Sequence, residues 1–313
     1  MENTGDDVQY VDRVSSVFNL AFHTFKNRYI TNGGSMNDTR LLHAAAFSGN
    51  TNLVKIVIEA GADINKDNNG FTPLTIATWN NWTETVLVLV ELGANAEIPT
   101  ASGWTSLMMA AFKGLNHIVK ILVESNVDVN KTWNKTGYGA LHLAVEKNHT
   151  EVVSLLLDHN ADMDIQNNDG FTPLLIAAFK GFNQIVKILL ESNVDVDKIS
   201  NETGAGALHL AVQENHTEIV SLLLDHNADM DIQNNYGYTP LLVAAELGFF
   251  KISKLLIDNG ASFNGTYLDP FLVAGVHSDI SVYMLEQFKV AELKPFHYGL
   301  VSKNDRIVSI HFT

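Results

Sequence analysis

Histidine is the residue type whose chemistry stands out first, because twelve histidines could ligate a metal ion or transfer protons. Six of them form two sets that lie 67 residues apart, namely His142, His149 and His159 and then His209, His216 and His226. A metal site needs side chains that converge in space, whereas a constant spacing along the chain indicates a repeated structural position. We therefore interpret the recurring histidines as structural rather than metal-binding.

Residues 158–164 begin like a calcium-binding loop, with oxygen-bearing side chains at alternate positions, and the pattern recurs at residues 225–231. An EF-hand loop needs a glycine at its sixth position and a bidentate glutamate at its twelfth. This chain has Met163 and Asp169 there. The pattern therefore favours a connecting loop, and we predict no metal.

Catalytic motifs are missing from the sequence. It has no cysteine, which excludes disulfides, thiolate zinc sites and cysteine nucleophiles, and it has no nucleophile elbow, Walker loop or His-Glu-x-x-His motif. Residues 204–206 resemble a phosphate-binding loop only in two glycines. We predict no catalytic residue and no cofactor. An enzyme with its site in the unrepeated ends stays an alternative, with His277, Asp279, His297 and His311 as candidates.

Composition restricts the partners. The chain carries 35 acidic and 20 basic residues, a formal net charge of -15, so nucleic acid and anionic membranes are unfavourable partners. Its first residues are acidic rather than basic and apolar, and no run of 18 apolar residues occurs. We expect a cytoplasmic protein that is a monomer by default.

The elements that position these residues follow a glycine that returns every 33 or 34 residues, at Gly70, Gly103, Gly137, Gly170, Gly204 and Gly237. Self-similarity at this period predicts a solenoid of repeated units. Thr-Pro-Leu follows three of these glycines, at residues 72–74, 172–174 and 239–241, which predicts a helix start. A second helix follows each first one, as at residues 185–190, where apolar residues recur at helical spacing.

This pattern resembles the ankyrin-repeat family, whose unit is a β-turn finger and two antiparallel helices with a Thr-Pro-Leu-His motif. The resemblance covers residues 36–265 as seven units, with the fullest motif tails at residues 141–144 and 208–211. It implies an all-α solenoid of stacked helix-turn-helix units with β-turn fingers. It also implies that the histidine of the motif, at His43, His142 and His209, joins fingers to helices by hydrogen bonds. Four helix starts depart from the motif and should be looser: Arg40-Leu41, Thr105-Ser106, Gly139-Ala140 and Gly206-Ala207.

Three segments follow from this reading. Residues 1–35 combine an amphipathic capping helix at 7–30 with a Gly33-Gly34-Ser35 stretch, which is a flexible linker or a cloning junction. Residues 36–265 are the seven repeats. Residues 266–313 form a degenerate eighth repeat, with a second helix around Ile280, and a terminal cap or strand at 306–312.

Aromatic residues indicate the candidate binding face. In the ankyrin family, partners are commonly held by the fingers and first helices, at positions directly after the glycine and nine residues further along. Nine of the thirteen residues at these positions are aromatic, against 9% in the whole chain, and exposed aromatic clusters are typical of binding hot spots. With Trp133 of a neighbouring finger, the candidate contacts are Phe47, Phe71, Trp79, Trp104, Phe112, Trp133, Tyr138, Phe171, Phe179 and Tyr238. The alternative is that these rings pack against neighbouring fingers and extend the core.

A duplication refines this face. Residues 110–168 and 177–235 match at 48 of 59 positions, and six of the eleven differences lie on the fingers and first helices. The first copy carries Trp133 and Tyr138 where the second is smaller, and the second carries Glu202 and Glu214 where the first has lysines. The two copies therefore either diverged on this face because their binding roles differ, or accumulated neutral substitutions at exposed positions.

The sequence thus predicts a non-enzymatic scaffold or adaptor that binds another protein. Residues 36–265 carry 26 acidic and 13 basic side chains, which favours a basic or amphipathic partner. The alternative is a secreted effector of a host-associated microbe, acting in the host cytosol, because duplicated, Asn-rich ankyrin arrays are familiar there.

Overall fold

The computed structural model describes residues 39–262, 277–290, 299–301 and 307–309 of the 313-residue chain. Residues 39–262 contain seven helical hairpins, each made of a first helix and a second helix. The chain divides into two compact units, Met1–Ala110 with Leu115–Asp128 and Ala111–Gly114 with Val129–Thr313, here called unit 1 and unit 2. The predicted capping helix at 7–30 and the Gly33-Gly34-Ser35 stretch lie outside the described residues, as does the first helix of the predicted eighth repeat.

Unit 1 contains two complete hairpins and most of a third. Its helices are α1 (Thr39–Ser48), α2 (Thr51–Glu59), α3 (Pro73–Trp79), α4 (Thr83–Glu91), the first part of α5 (Ser106–Lys113) and α6 (Asn116–Glu124). First helix packs on first helix, as α1 does on α3, and second helix packs on second helix, as α2 does on α4 and α4 on α6. The core lies between the two layers and includes Leu42, Leu74 and Leu89, which are fully or almost fully buried.

Unit 2 repeats the same arrangement four times and adds one helix. Its helices are the end of α5, then α7 (Ala140–Glu146), α8 (Thr150–Asp158), α9 (Pro173–Lys180), α10 (Asn183–Glu191), α11 (Ala207–Gln213), α12 (Thr217–Asp225), α13 (Pro240–Glu246), α14 (Phe250–Asp258) and α15 (Ser278–Val290). Each first helix packs on the next first helix, from α7 to α13, and each second helix packs on the next second helix, from α8 to α14. One hairpin alone cannot bury both faces, so the core of the unit is created by stacking.

The helix starts explain why these short segments are helical. Thr72, Thr172 and Thr239 are extended N-cap residues whose hydroxyls accept from the backbone N–H three residues on, and a proline follows each. The helices α7 and α11 have Gly139 and Gly206 as their N-cap residues, so they lack a capping hydroxyl. There the histidine three residues on accepts a hydrogen bond from the glycine N–H at 3.2 and 3.3 Å, so these starts are held by a different group.

The fingers are joined from one hairpin to the next by backbone hydrogen bonds. In unit 2, the N–H groups of Asn168, Asn201 and Asn235 donate to carbonyls of the preceding finger, at 2.8 to 3.0 Å. The amide side chains of the same three residues also donate to the preceding finger. In unit 1, the Ala101 N–H donates to the Gly70 carbonyl at 3.0 Å. The fingers therefore form a ladder that fixes the spacing of the hairpins in each unit.

Helix α15 agrees with the predicted second helix around Ile280, which is buried, and α15 packs on α14. Strands β1 (Gly299–Val301) and β2 (Ile307–Ser309) pair in antiparallel fashion, with Leu300 opposite Val308. The predicted terminal strand at 306–312 therefore has a counterpart in β2.

Candidate binding surface

At the end of each first helix lie two consecutive residues that are half-buried or exposed. We call these the closing pairs: Phe47–Ser48, Trp79–Asn80, Phe112–Lys113, Glu146–Lys147, Phe179–Lys180, Gln213–Glu214 and Glu246–Leu247. The aromatic members are half-buried, two in unit 1 and two in unit 2. Gln213 and Glu246 are exposed, so Phe179 is the last aromatic residue among the closing pairs. A ring with one face packed and one edge in water retains apolar area that a partner can bury.

The finger positions, directly after each finger glycine, lie on the loop that leads into the first helix. Phe71 in unit 1 and Tyr138, Phe171 and Tyr238 in unit 2 are half-buried. The ring of Tyr138 lies 5.2 Å from that of His142, and burial raises the pKa of its phenol to about 12, with a smaller contribution from Glu146. Tyr138 is therefore a neutral hydrogen-bonding group at neutral pH.

Two of the ten candidate contact residues are buried rather than exposed. Trp104 is 6% exposed and Trp133 is 7% exposed, so the expectation that they are exposed contacts is wrong. Trp104 closes a tight turn in which its carbonyl and its N–H both bond to Thr100, and Lys135 lies over the Trp133 ring at 5.4 Å. Here the alternative noted for these rings applies, since a large indole in a finger stabilises the finger by leaving water.

A set of hydrogen bonds that the sequence analysis missed fixes the backbone beneath the closing pairs. His149 and His216 donate through Nε2 to the carbonyls of Phe112 and Phe179 at 3.1 and 3.2 Å. Each of these imidazoles lies over the glycine that ends the same first helix, Gly114 or Gly181, where a Cβ atom would be 2.6 Å from the ring. The recurrence of these histidines at 67 residues was a visible signal, but the carbonyl that they bind was not.

Other side chains make the same kind of bond elsewhere in the chain. We call this set of bonds, from a side chain that precedes a second helix to a carbonyl at the end of an earlier first helix, the interlock. In unit 1, the Trp82 indole N–H donates to the Phe47 carbonyl at 2.8 Å, and in unit 2 His277 bonds to the Glu246 carbonyl at 3.2 Å. His277 was a candidate for catalysis, and its place in the interlock gives it a structural role. The backbone of four closing pairs is thus held by a side chain that directly precedes a second helix, which orders this surface in advance.

Charged groups of unit 2 lie among the rings. The Lys180 ammonium is 2.7 Å from the Glu146 carboxylate, whose side chain is only 11% exposed. The Lys147 ammonium lies 4.7 Å from the centroid of the Phe112 ring, a distance at which a cation is attracted to the ring face. Burial lowers the pKa of Lys113. The closing pairs therefore combine apolar area with fixed charges, which suits recognition of a polypeptide.

The remaining candidates for chemistry have structural partners. His43, His142 and His209 bond through Nε2 to the carbonyls of Phe71, Phe171 and Tyr238 at 2.8 to 3.0 Å, which confirms the predicted link between helices and fingers.

The calcium-like run also has internal partners. The Asp162 carboxylate accepts from the Asp164 N–H at 3.0 Å, and Asp164 accepts from the Asp195 N–H of the next hairpin at 3.1 Å. Within the described residues, no three histidine, aspartate or glutamate side chains are grouped as a metal ion would require. His297 and His311 lie outside the described residues. In that same part of the chain, every helix is too short or too polar to cross a bilayer.

Stacked helical hairpins with β-turn fingers, joined by a histidine to the next finger, define a class of helical repeat proteins. A family model described as ankyrin repeats (3 copies) matches residues 16–100, 41–133, 107–200 and 195–267. The chain belongs to the ankyrin-repeat family.

The chain spans less than a quarter of the length of the relatives that it matches. It is 34% identical over 105 residues to the ankyrin repeat and KH domain-containing protein mask of Drosophila melanogaster, which is 33% of this chain and 3% of that protein. It is 32% identical over 129 residues to the neurogenic locus notch homolog protein 1 of Xenopus laevis, which is 41% of this chain and 5% of that protein. It is 28% identical over 247 residues to the nuclear factor NF-kappa-B p105 subunit of Gallus gallus, 75% of this chain and 22% of that protein.

Among solved structures, the chain is similar to the ankyrin repeat domain of Bcl-3, described as a unique member of the IkappaB protein family. The TM-score is 0.66 at 28% sequence identity, over 70% of this chain and 100% of the Bcl-3 domain. The similarity thus covers a whole ankyrin domain of the solved protein.

Proposed function

We propose that this chain is a non-enzymatic scaffold or adaptor that holds a partner protein against the closing pairs and finger positions of its hairpins. The observation that carries the proposal is the repetition of half-buried aromatic side chains at the same two positions of successive hairpins. A solenoid needs no such rings to stack, because its core is filled by aliphatic residues such as Leu74 and Leu174. The rings therefore offer apolar area beyond what the fold uses.

The arrangement favours binding over catalysis. The described histidines that the sequence analysis singled out for chemistry bond to backbone carbonyls of neighbouring segments or follow a helix end, and burial lowers the pKa of His142 and His209. Ankyrin repeats act as protein-interaction modules, and the relatives named above include binding proteins of the NF-kappa-B group. These similarities support a protein partner without identifying it.

Two paired substitutions test the proposal, one pair in each unit. Phe47→Ala with Trp79→Ala removes the aromatic closing residues of unit 1, and Phe112→Ala with Phe179→Ala removes those of unit 2. We expect at least one pair to weaken capture of the native partner by tenfold or more, since aromatic hot spots contribute about 2 kcal/mol or more when truncated. The measurement is affinity capture from the native cell, with the circular dichroism spectrum recorded in parallel.

The matched control is Ile56→Ala, which removes an exposed apolar side chain from the second helix α2. It should leave capture unchanged. If both aromatic pairs retain the wild-type partners at wild-type strength while their helical content is intact, the proposed surface is wrong.

A further inference from the structure

Four Asn-Gly pairs occur in the sequence, and two of them, Asn69-Gly70 and Asn259-Gly260, lie in the described residues. Such a pair can modify itself, because the glycine nitrogen can attack the side-chain carbonyl carbon of the asparagine and no Cβ atom of the glycine hinders the approach. Both asparagines are exposed to solvent. The two pairs therefore have the same chemistry and similar exposure, and they differ in their hydrogen bonds.

Asn69 and Gly70 form the tip of the finger that leads into α3, in unit 1. Their φ angles are 54° and 84°, both left-handed, as at the centre of a type I′ turn. The turn is closed by two hydrogen bonds between Asn68 and Phe71, at 3.0 and 3.2 Å. Within the described part of the chain, the Gly70 N–H and the Asn69 side-chain amide have no hydrogen-bond partner. Both reacting groups are therefore held by nothing except this turn.

Asn259 and Gly260 lie at the end of α14, where the same two groups are both bonded. The Gly260 N–H donates to the Ile257 carbonyl at 2.9 Å, and the Asn259 side-chain amide donates to the Leu255 carbonyl at 2.8 Å. These bonds must break before the glycine nitrogen can turn towards the asparagine side chain. The end of the helix therefore protects this pair, although its sequence is the same.

The reactive pair is specific to this finger. Gly70 is required by the fold, because a Cβ atom there would lie 2.2 Å from the Cβ atom of Ala101. Seven other asparagines have a positive φ, but each is followed by a residue with a Cβ atom. The residues before the finger glycine in the other fingers are Ser102, Thr136, Asp169, Thr203 and Tyr236. Among the described residues, this finger alone combines an exposed, unbonded asparagine with a following glycine.

We propose that Asn69 is a self-modification site, which converts to aspartate and isoaspartate without an enzyme, and that the isoaspartyl product releases this finger from its neighbours. The Gly70 nitrogen loses its proton and bonds to Cγ of Asn69, the Cγ–Nδ2 bond breaks, and ammonia leaves a cyclic succinimide. Water then opens the ring at either carbonyl carbon. Opening at Cγ gives aspartate in the normal chain, and opening at the main-chain carbon gives isoaspartate, whose backbone runs through Cβ and Cγ. Water is the only co-reactant, and nothing is oxidised or reduced.

The isoaspartyl product lengthens the backbone by one carbon atom inside a turn whose two ends are bonded to each other. The Asn68–Phe71 pairing cannot keep both of its bonds around a longer loop. Two links to neighbouring segments depend on that pairing, because the Ala101 N–H donates to the Gly70 carbonyl and His43 bonds to the Phe71 carbonyl, each at 3.0 Å. Phe71 is also one of the proposed contact residues. That last consequence rests on the proposed function, whereas the reaction itself does not.

The test incubates the full chain at neutral pH and follows both pairs by proteolytic digestion and mass spectrometry. Conversion replaces an amide by an acid, and electron-transfer fragmentation distinguishes isoaspartate from aspartate. We expect Asn69 to convert at least about tenfold faster than Asn259, because the net contribution of one hydrogen bond corresponds to about this ratio. In denaturing urea the two rates should become similar, since the protecting bonds at Asn259 are then lost.

The matched variant is Asn69→Gly, which keeps a residue suited to a positive φ and removes the reacting side chain. After the same incubation, hydrogen exchange at the Ala101 amide should be faster in the isoaspartyl form of the wild-type chain than in the fresh chain. In Asn69→Gly it should not change with incubation.

An Asn69 rate in the folded chain that is equal to or below that of Asn259 would overturn the inference. So would isoaspartyl protein in which the Ala101 amide exchanges as slowly as in the fresh chain. Neither measurement involves a partner protein, so both outcomes are independent of the aromatic substitutions that test the proposed function.

Discussion

His142 combines two hydrogen bonds that determine its protonation state. The Gly139 N–H donates to Nδ1, so the proton lies on Nε2, which donates to the Phe171 carbonyl. A protonated ring would present an N–H to the Gly139 N–H and lose the first bond. The resemblance to ankyrin repeats predicted the link to the finger, but not that the ring replaces the capping hydroxyl that Gly139 lacks.

This environment predicts a loss of stability in mild acid. Burial lowers the pKa of His142 from 6.5 to about 4 and also lowers that of His209. The unfolded chain therefore binds protons first, so the stabilisation is complete above about pH 6.5 and is lost as the pH falls towards 4. For His142 the loss is at most about 3 kcal/mol.

Urea unfolding between pH 7 and pH 5 measures the effect, in a range above most carboxyl titrations. His142→Gln with His209→Gln should flatten the dependence on pH while lowering stability at pH 7. A double variant that keeps the wild-type slope would show that other groups control it.

Residue identity alone could not distinguish the half-buried aromatic rings from the fully buried ones. Trp104 follows a finger glycine just as Phe71 does, yet it is buried while Phe71 is half-buried. The difference depends on the finger turn around Thr100, which is a property of the folded loop. Sequence spacing therefore suggested the proposed surface, and only the structure could show which of its side chains are buried.

At the scale of elements, the interlock joins the ends of four first helices to the residue that precedes a second helix further along the chain. Gly181 has a φ of 78° and its missing Cβ leaves room for the His216 ring. Gly260 has a φ of 94° but nothing within 4 Å of the Cβ position. Substituting the two glycines therefore distinguishes two contributions to the loss of stability. One is the strain of a left-handed backbone at a non-glycine residue, and the other is the displacement of the His216 ring.

We expect Gly260→Ala to destabilise the chain by about 1 kcal/mol, which is the penalty for the backbone alone. Gly181→Ala should cost about 3 kcal/mol or more, because the methyl group also displaces His216 and breaks its bond to Phe179. Adding His216→Ala should reduce the cost of Gly181→Ala to that of Gly260→Ala. Chemical denaturation of these three variants and of His216→Ala alone gives these values, and equal costs at the two glycines would contradict the interlock.

At the scale of the whole molecule, periodicity carried most of the fold prediction. A glycine every 33 or 34 residues placed the fingers, and Thr-Pro-Leu placed the starts of α3, α9 and α13. The interlock escaped prediction because it joins residues that are 31 to 37 positions apart through a backbone carbonyl, which has no signature in side-chain types.

The same periodicity predicts which excisions the chain tolerates. Removing residues 149–215 joins Asn148 to His216, so α12 follows α7 in place of α8, from which it differs only by Ile219 in place of Val152. We expect the shortened chain to keep its helical content per residue. Its denaturant slope should fall by about a fifth, in proportion to the surface removed.

Circular dichroism and urea unfolding provide the measurement. Removing residues 149–199 instead, which is out of step with the period, should abolish cooperative unfolding. If both excisions behave alike, the phase of the repeat does not control folding.

The near-identity of the two copies has a consequence for inheritance. A gene that encodes two matching stretches in the same reading frame can misalign with its sister during recombination, and the products gain or lose one whole stretch. Because each stretch begins and ends at the same backbone conformation, both products still encode stackable hairpins. The length of this protein can therefore change in a single genetic event, and each added copy supplies further finger and first-helix positions on which selection can act.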